Sequence, residues 1–205
     1  MQGLYLVTPN WDDTDHLLVI TEQALAAGPI ALLQYRHKEA GPQQRHEQAA
    51  ALQTLCRRHN VPFIINDFVD LCVQLDADGI HLGGTDDEVA EVRAKLGKDK
   101  IIGASCYGDL PRALHAQDAG ASYVAFGGFY PSRVKKYAVT TPPAILDQAN
   151  EVIRVPTVVI GGMTPANAAP LIQRGAHMVA AISSVYQAES VANAVREFQS
   201  LFVKQ

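Results

Sequence analysis

Eight times along this chain a short, apolar, β-branched run gives way to a longer stretch of helical period. The pattern predicts strands over residues 3–8, 30–36, 63–66, 79–82, 101–105, 123–126, 157–160 and 178–182. The intervening and following helices are predicted over 14–27, 42–59, 68–75, 87–96, 109–119, 143–150, 165–174 and 190–203. Strands that are apolar almost throughout belong in a parallel sheet covered on both faces. Gly28, Gly97, Gly120 and Gly175 each fall just past a helical stretch, where a left-handed C-cap is expected. The rival arrangement is an open, doubly wound sheet, whose first strand–helix turn normally carries GxGxxG. Here that turn reads Thr8-Pro-Asn-Trp-Asp-Asp. The expectation is one α/β domain over residues 1–205, closed as a (β/α)8 TIM barrel.

Charge and cysteine usage narrow the function classes. A net charge of −4 offers no broad attraction to nucleic acid or to an anionic membrane. A phosphate ligand would have to be held by local cations and backbone amides. Cys56, Cys72 and Cys106 form no CxxC pair, which argues against a zinc site or a disulfide framework and for reduced thiols in a cytoplasmic protein. The first residues, Met1-Gln-Gly-Leu-Tyr-Leu-Val-Thr, read as a strand rather than a signal peptide. No apolar run reaches the length of a membrane span.

In such a barrel the chemistry lies where the strands end. The second strand ends in Gln34-Tyr-Arg-His-Lys38, and residues two apart on a strand point the same way. Gln34, Arg36 and Lys38 would then line one site, the two cations gripping a diphosphate as planar fork and point charge. The third strand ends in Asn66-Asp67, and Asp86 follows the fourth. Two carboxylates on adjacent strand ends suit magnesium, which takes few protein oxygens beside phosphate and water. The same residues read equally as helix N-caps, and Asp87 competes with Asp86 for the second position. Gly161-Gly162 opens a helix, and the eighth strand runs into Ser183; a phosphate at the ends of strands seven and eight is a frequent feature of this fold. The bland reading there is a tight turn capped by Thr164. Lys135 and Lys136 sit in a polar loop after the sixth strand. His81 reads as a barrel-interior side chain without a catalytic part.

Taken in order, these segments resemble one family. Gln-x-Arg-x-Lys, Ile-Asn-Asp, Asp-Gly-Ile-His-Leu-Gly, Ile-Gly-Ala-Ser, Phe-Gly-Gly-Phe-Tyr-Pro-Ser-x-x-Lys, Ile-Gly-Gly-Met-Thr and Ile-Ser run from about Gly3 to Tyr186, as in thiamine-phosphate synthases. The resemblance implies coupling of hydroxymethylpyrimidine diphosphate to hydroxyethylthiazole phosphate, with release of pyrophosphate. It implies that Gln34 contacts the pyrimidine side and that Arg36, Lys38, Asn66, Ser105 and Lys135 hold the diphosphate. Arg36, Lys38 and Lys135 would stabilise the leaving group. Asp67 and Asp86 would bind Mg2+. Ser132, Gly162, Ile182 and Ser183 would hold the thiazole phosphate. The pyrimidine would leave as a stabilised cation captured by the thiazole nitrogen. The chain departs from the family pattern Pro-Thr-x-Thr-Lys: it reads Pro131-Ser-Arg-Val-Lys135, so Val134 lacks a hydroxyl.

Two other readings compete. A paralogue of the same fold tautomerises a thiazole carboxylate phosphate, and is expected to use a histidine after strand six; Gly127-Gly-Phe-Tyr has none. A non-catalytic phosphate-binding barrel would have no need of both Asp67 and Asp86. The expected partners are the two small substrates, with no nucleic acid and no membrane. Homo-oligomer formation is left open by the sequence.

Overall fold

The computed structural model describes residues 1–83, 86–131 and 140–203, with the side chains of Asp86 and Asp87 also outside the description. The chain begins with β1 (Gly3–Val7) and α1 (Thr14–Ala26), then β2 (Leu32–Tyr35) and α2 (Pro42–Arg58). Next come β3 (Phe63–Asn66), α3 (Val69–Gln74), β4 (Gly79–Leu82) and α4 (Asp86–Leu96). These are followed by β5 (Ile101–Tyr107), α5 (Leu110–Asp118), β6 (Tyr123–Gly127) and α6 (Ile145–Val152). The last units are β7 (Thr157–Ile160), α7 (Pro165–Gln173), β8 (Met178–Ala181), α8 (Ser183–Tyr186) and α9 (Val191–Ser200). The strands form a closed barrel in chain order, every neighbouring pair parallel, with β1 against β8. The expected (β/α)8 barrel is the observed one.

Strand alternation divides the core in two. Tyr5, Val7, Leu32, Ile64, Tyr123, Ala125, Val158, Met178 and Ala180 fill the barrel interior. The other parity, including Leu4, Leu6, Leu33, Phe63, Ile65, Val124, Phe126 and Val159, packs under the helices. Both faces of each strand are therefore dry, which is why the runs read as apolar without alternation. Asp13, Asp109, Thr164 and Ser190 cap α1, α5, α7 and α9 by accepting a backbone N–H three residues on. Gly97, Gly120 and Gly175 take the left-handed conformation foreseen for C-caps, whereas Gly28, at φ 155°, does not cap α1 in that way.

Three local differences bear on the site. β5 continues past Ser105 through a register irregularity to Tyr107, a non-glycine residue at φ 52°. The eighth strand stops at Ala181, and Ser183–Tyr186 forms a short helix that periodicity could not reveal in four residues. The cap of α3 is Phe68, so Asp67 is not the N-cap that spacing made an even alternative.

Candidate active site

The inward parity of the strands decides what reaches the barrel mouth. Gln34, Asn66, His81 and Ser105 all continue the inward-facing series of their strands, and the first three are buried. Gln34 Nε2 donates to the Tyr5 hydroxyl at 2.7 Å. The Tyr5 and Tyr123 hydroxyls lie 2.6 Å apart, Tyr123 meets His81 Nδ1 at 2.9 Å, and His81 Nε2 meets Ser105 Oγ at 2.8 Å. This row of five side chains crosses the barrel from β2 to β5. Burial pushes the Tyr5 and Tyr123 phenols far above their ordinary range, so both stay neutral. Either phenol can donate to the other, and the His81 tautomer sets the sense in which the protons run from Tyr123 to Ser105.

His81 is thus more than interior filling: its ring stacks on Tyr123 and orients Ser105. Tyr5 and Tyr123 were not singled out in the sequence. The available signal was a tyrosine at an inward position of β1 and of β6, the latter opposite Gly103 at an inward position of β5. A Cβ on Gly103 would fall 2.0 Å from Tyr123 Cζ, so only glycine leaves room for that ring.

At the ends of β2 and β3 the structure brings Lys38, Asn66 and Asp67 together. Lys38 Nζ lies 2.9 Å from Asp67 Oδ2, and Asn66 Nδ2 donates to the same oxygen at 2.8 Å. Asp67 is at φ 61° inside a three-residue turn closed by Phe68 N–H on the Asn66 carbonyl at 2.8 Å. A non-glycine residue in that region carries strain of about 1–3 kcal/mol. The turn brings back to the rim a side chain that simple alternation would send under α3. Asp67 Oδ1 faces Gly83, at 3.4 Å from where a Cβ on that residue would be. Gly83 begins the loop that leads to Asp86, the first residue of α4. The Asp67 carboxylate offers hard oxygens of the kind magnesium takes, although among the described residues no group of three or more metal-ligating side chains gathers there.

The loop after β2 is fixed on several sides. The Arg36 amide donates to buried Thr8 Oγ1 at 2.8 Å. His37 accepts the Ala40 amide on Nδ1 at 3.1 Å, which leaves its Nε2 proton for Asp12 Oδ1 at 3.0 Å. Across the barrel, Gly161 and Gly162 have φ 110° and 63° before α7, and a capping box pairs Thr164 with Asn167. The Thr164 cap and the glycine turn are both real; one does not displace the other. Asn167 Nδ2 donates to the Gly162 carbonyl at 2.9 Å, while the Tyr130 hydroxyl donates to the Asn167 carbonyl at 3.0 Å. Ile160 pairs with Ala180, so Gly162 and Ile182 stand two residues beyond the same rung, with Ser183 opening α8.

Ser132, Val134, Lys135 and Lys136 lie outside the described residues, as does the side chain of Asp86. The ends of their loop are described. Pro131 packs against Gly162, and the Thr140 and Thr141 amides both donate to the Gly128 carbonyl at 3.1 and 3.2 Å. The described residues on either side of it, Pro131 and Thr140, thus stand near the end of β6.

A family model for thiamine monophosphate synthase matches residues 4–185. The chain belongs to the thiamine monophosphate synthase family. A thiamine-phosphate synthase from Janthinobacterium sp. (strain Marseille) is 63% identical over 204 residues, covering 100% of this chain and 98% of the relative. One from Thiobacillus denitrificans is 48% identical, covering 98% and 94%. Among solved structures, thiamine phosphate pyrophosphorylase from Pyrococcus furiosus superposes with a TM-score of 0.83 at 30% identity, over 98% of this chain and 95% of that one. A 3-hexulose-6-phosphate synthase, at 17% identity and TM-score 0.72, shares the fold alone. The resemblance drawn from the strand-end segments is borne out, and membership makes the chain an enzyme, a transferase. Among the described residues no helix is long and apolar enough to cross a membrane, and Cys56, Cys72 and Cys106 are buried thiols.

Proposed function

We propose that this enzyme joins hydroxymethylpyrimidine diphosphate to hydroxyethylthiazole phosphate, forming thiamine phosphate and pyrophosphate. The observation that carries the reading is the cluster of Lys38, Asn66 and Asp67 at the rim of β2 and β3, facing the glycine turn of β7 across the barrel. One side suits a diphosphate with its cation, the other a single phosphate. The curated relatives that span the whole chain bear the same name.

Each side chain has a task. Gln34, held by Tyr5, would contact the pyrimidine, and Ser105, held by His81, would offer its proton to the diphosphate. Arg36, Lys38 and Lys135 would balance the charge that grows on the departing diphosphate. Asp67 and Asp86 would hold Mg2+, which supplies Lewis-acid stabilisation of that same leaving group. Lys38 now meets Asp67 directly; with a diphosphate present its ammonium would turn to phosphate oxygens. Gly162, Ile182, Ser183 and Ser132 would seat the thiazole phosphate, the first through backbone amides of a turn entering a helix. The bond between the pyrimidine methylene and the diphosphate oxygen breaks, its electron pair leaving with pyrophosphate. The thiazole nitrogen then supplies the pair for the new C–N bond. The chain contributes position and charge, and the reaction asks it for no nucleophile.

The test is pyrophosphate release from the two purified substrates. Release is expected only when both substrates and magnesium are present, and chelation should abolish it. Release from the pyrimidine diphosphate alone at the full rate would overturn the coupling, and undiminished release in chelator would overturn the metal assignment.

A further inference from the structure

Arg45 stands in the first turn of α2, away from the residues assigned to substrate, yet it touches both loops that carry them. Its Nη2 donates to the Ala40 carbonyl at 2.6 Å. Its guanidinium carbon lies 3.6 Å above the centroid of the Phe68 ring. Ala40 ends the loop that bears Arg36 and Lys38, while Phe68 directly follows Asp67. From these contacts we infer that Arg45 is a positioning residue that sets where Lys38 and Asp67 stand relative to each other. The inference rests on the reading of those two residues as the diphosphate and metal ligands.

The contacts form a circuit. Lys38 meets Asp67 at 2.9 Å; Asp67 is bonded to Phe68; Phe68 lies under Arg45; Arg45 holds Ala40, two residues from Lys38. Ala40 is buried and gripped on its other side as well, since its amide donates to His37 Nδ1. Neither loop has a regular element to fix it at this point: β2 ends at Tyr35 and α2 begins at Pro42, and α3 opens without a side-chain cap. The turn at Asp67 is strained, so it needs a support from outside. Arg45 supplies one by pressing on the next residue.

The chemistry calls for arginine. A guanidinium can lay its planar face on an aromatic ring and still donate at its edge, whereas an ammonium is a point charge with no planar face to lay there. Arg45 Nε is buried with no acceptor among the described residues.

The experiment compares the wild-type enzyme with Arg45→Ala, Arg45→Lys and Phe68→Leu. Three readouts are taken: the KM for each substrate, the magnesium concentration for half-maximal rate, and calorimetric binding of magnesium pyrophosphate without turnover. In Arg45→Ala the pyrimidine diphosphate KM and the magnesium midpoint should each rise about tenfold, roughly the worth of one desolvated cation–π contact. Affinity for magnesium pyrophosphate should fall by a similar factor, while the thiazole phosphate KM stays within about twofold. Arg45→Lys should recover only part of the loss, and Phe68→Leu, which keeps a large apolar side chain, should reproduce the same split. Should Arg45→Ala fail to fold, Phe68→Leu decides the matter. Unchanged magnesium pyrophosphate affinity, or a parallel rise in both KM values with a fall in Tm, would overturn the inference and leave the proposed activity standing. A wild-type enzyme that releases no pyrophosphate would overturn that activity; the calorimetric comparison would still judge Arg45.

Discussion

At the scale of single residues, Asp67 shows how backbone and chemistry are joined. Its φ of 61° turns the carboxylate back toward Lys38 and Asn66, and its own amide still donates to the His81 carbonyl at 2.9 Å. Asparagine tolerates this left-handed region and alanine does not. Asp67→Asn should therefore keep the fold and lose about a hundredfold or more of pyrophosphate release, the usual scale for removing one preorganised electrostatic group. Asp67→Ala should lose as much activity and also destabilise by about 1–2 kcal/mol. Steady-state kinetics beside thermal unfolding separate the two, and full activity in Asp67→Asn would remove Asp67 from the metal site. The residue type and its strand-end place were legible in the sequence. The conformation was not, because a helix N-cap and a strained turn use the same spacing. Inward strand positions marked Tyr5 and Tyr123 as interior, but their partners, 118 residues apart in the chain, were not legible, and neither was the ring contact that gives Arg45 its place.

At the scale of elements, the strand parity explains both successes and omissions. Gln34, Asn66 and Ser105 could be placed because inward positions recur every second residue and the rim follows the last of them. The short α8 and the extension of β5 to Tyr107 escaped, since a four-residue helix has no period and a bulge breaks one. The turn after β7 meets the first residues of the loop after β6 at Pro131. Gly162 adopts φ 63°, and a Cβ there would stand 2.1 Å from the Pro131 carbonyl oxygen. Gly162→Ala should push Pro131 and the glycine turn apart, raise the thiazole phosphate KM about tenfold or more, in line with roughly 1–3 kcal/mol of overpacking, and leave the pyrimidine diphosphate KM nearly unchanged. Equal effects on both substrates would mean that Gly162 serves the fold rather than the phosphate.

At the scale of the whole molecule, the barrel buries several acids in their neutral forms. Burial pushes the phenols of Tyr5, Tyr35, Tyr123 and Tyr186 up, the Cys56 thiol up to about 12 and the Cys72 thiol up to about 11. A folded-state pKa raised above the unfolded one favours folding fully below the unfolded value, near 8.5 for thiols and about 10 for phenols. That contribution is lost as pH climbs through the folded values. The Tm should hold through neutral pH and fall progressively above about pH 9, with the tyrosinate absorbance of the buried four rising together with the loss of helical circular dichroism. Complete tyrosinate formation while the helices persist would contradict this burial. The sequence by itself determined the eightfold strand–helix alternation, the closed parallel barrel and the family, because each depends on local periodicity or on ordered short segments. Only the tertiary structure decided which side chains meet: the row from Gln34 to Ser105, the Lys38–Asp67 contact and the hold of Arg45 on two loops. The physical reason is that periodicity reports which face a residue shares, whereas contact across a barrel depends on closure, register and the few backbone angles that turn a side chain back to the rim.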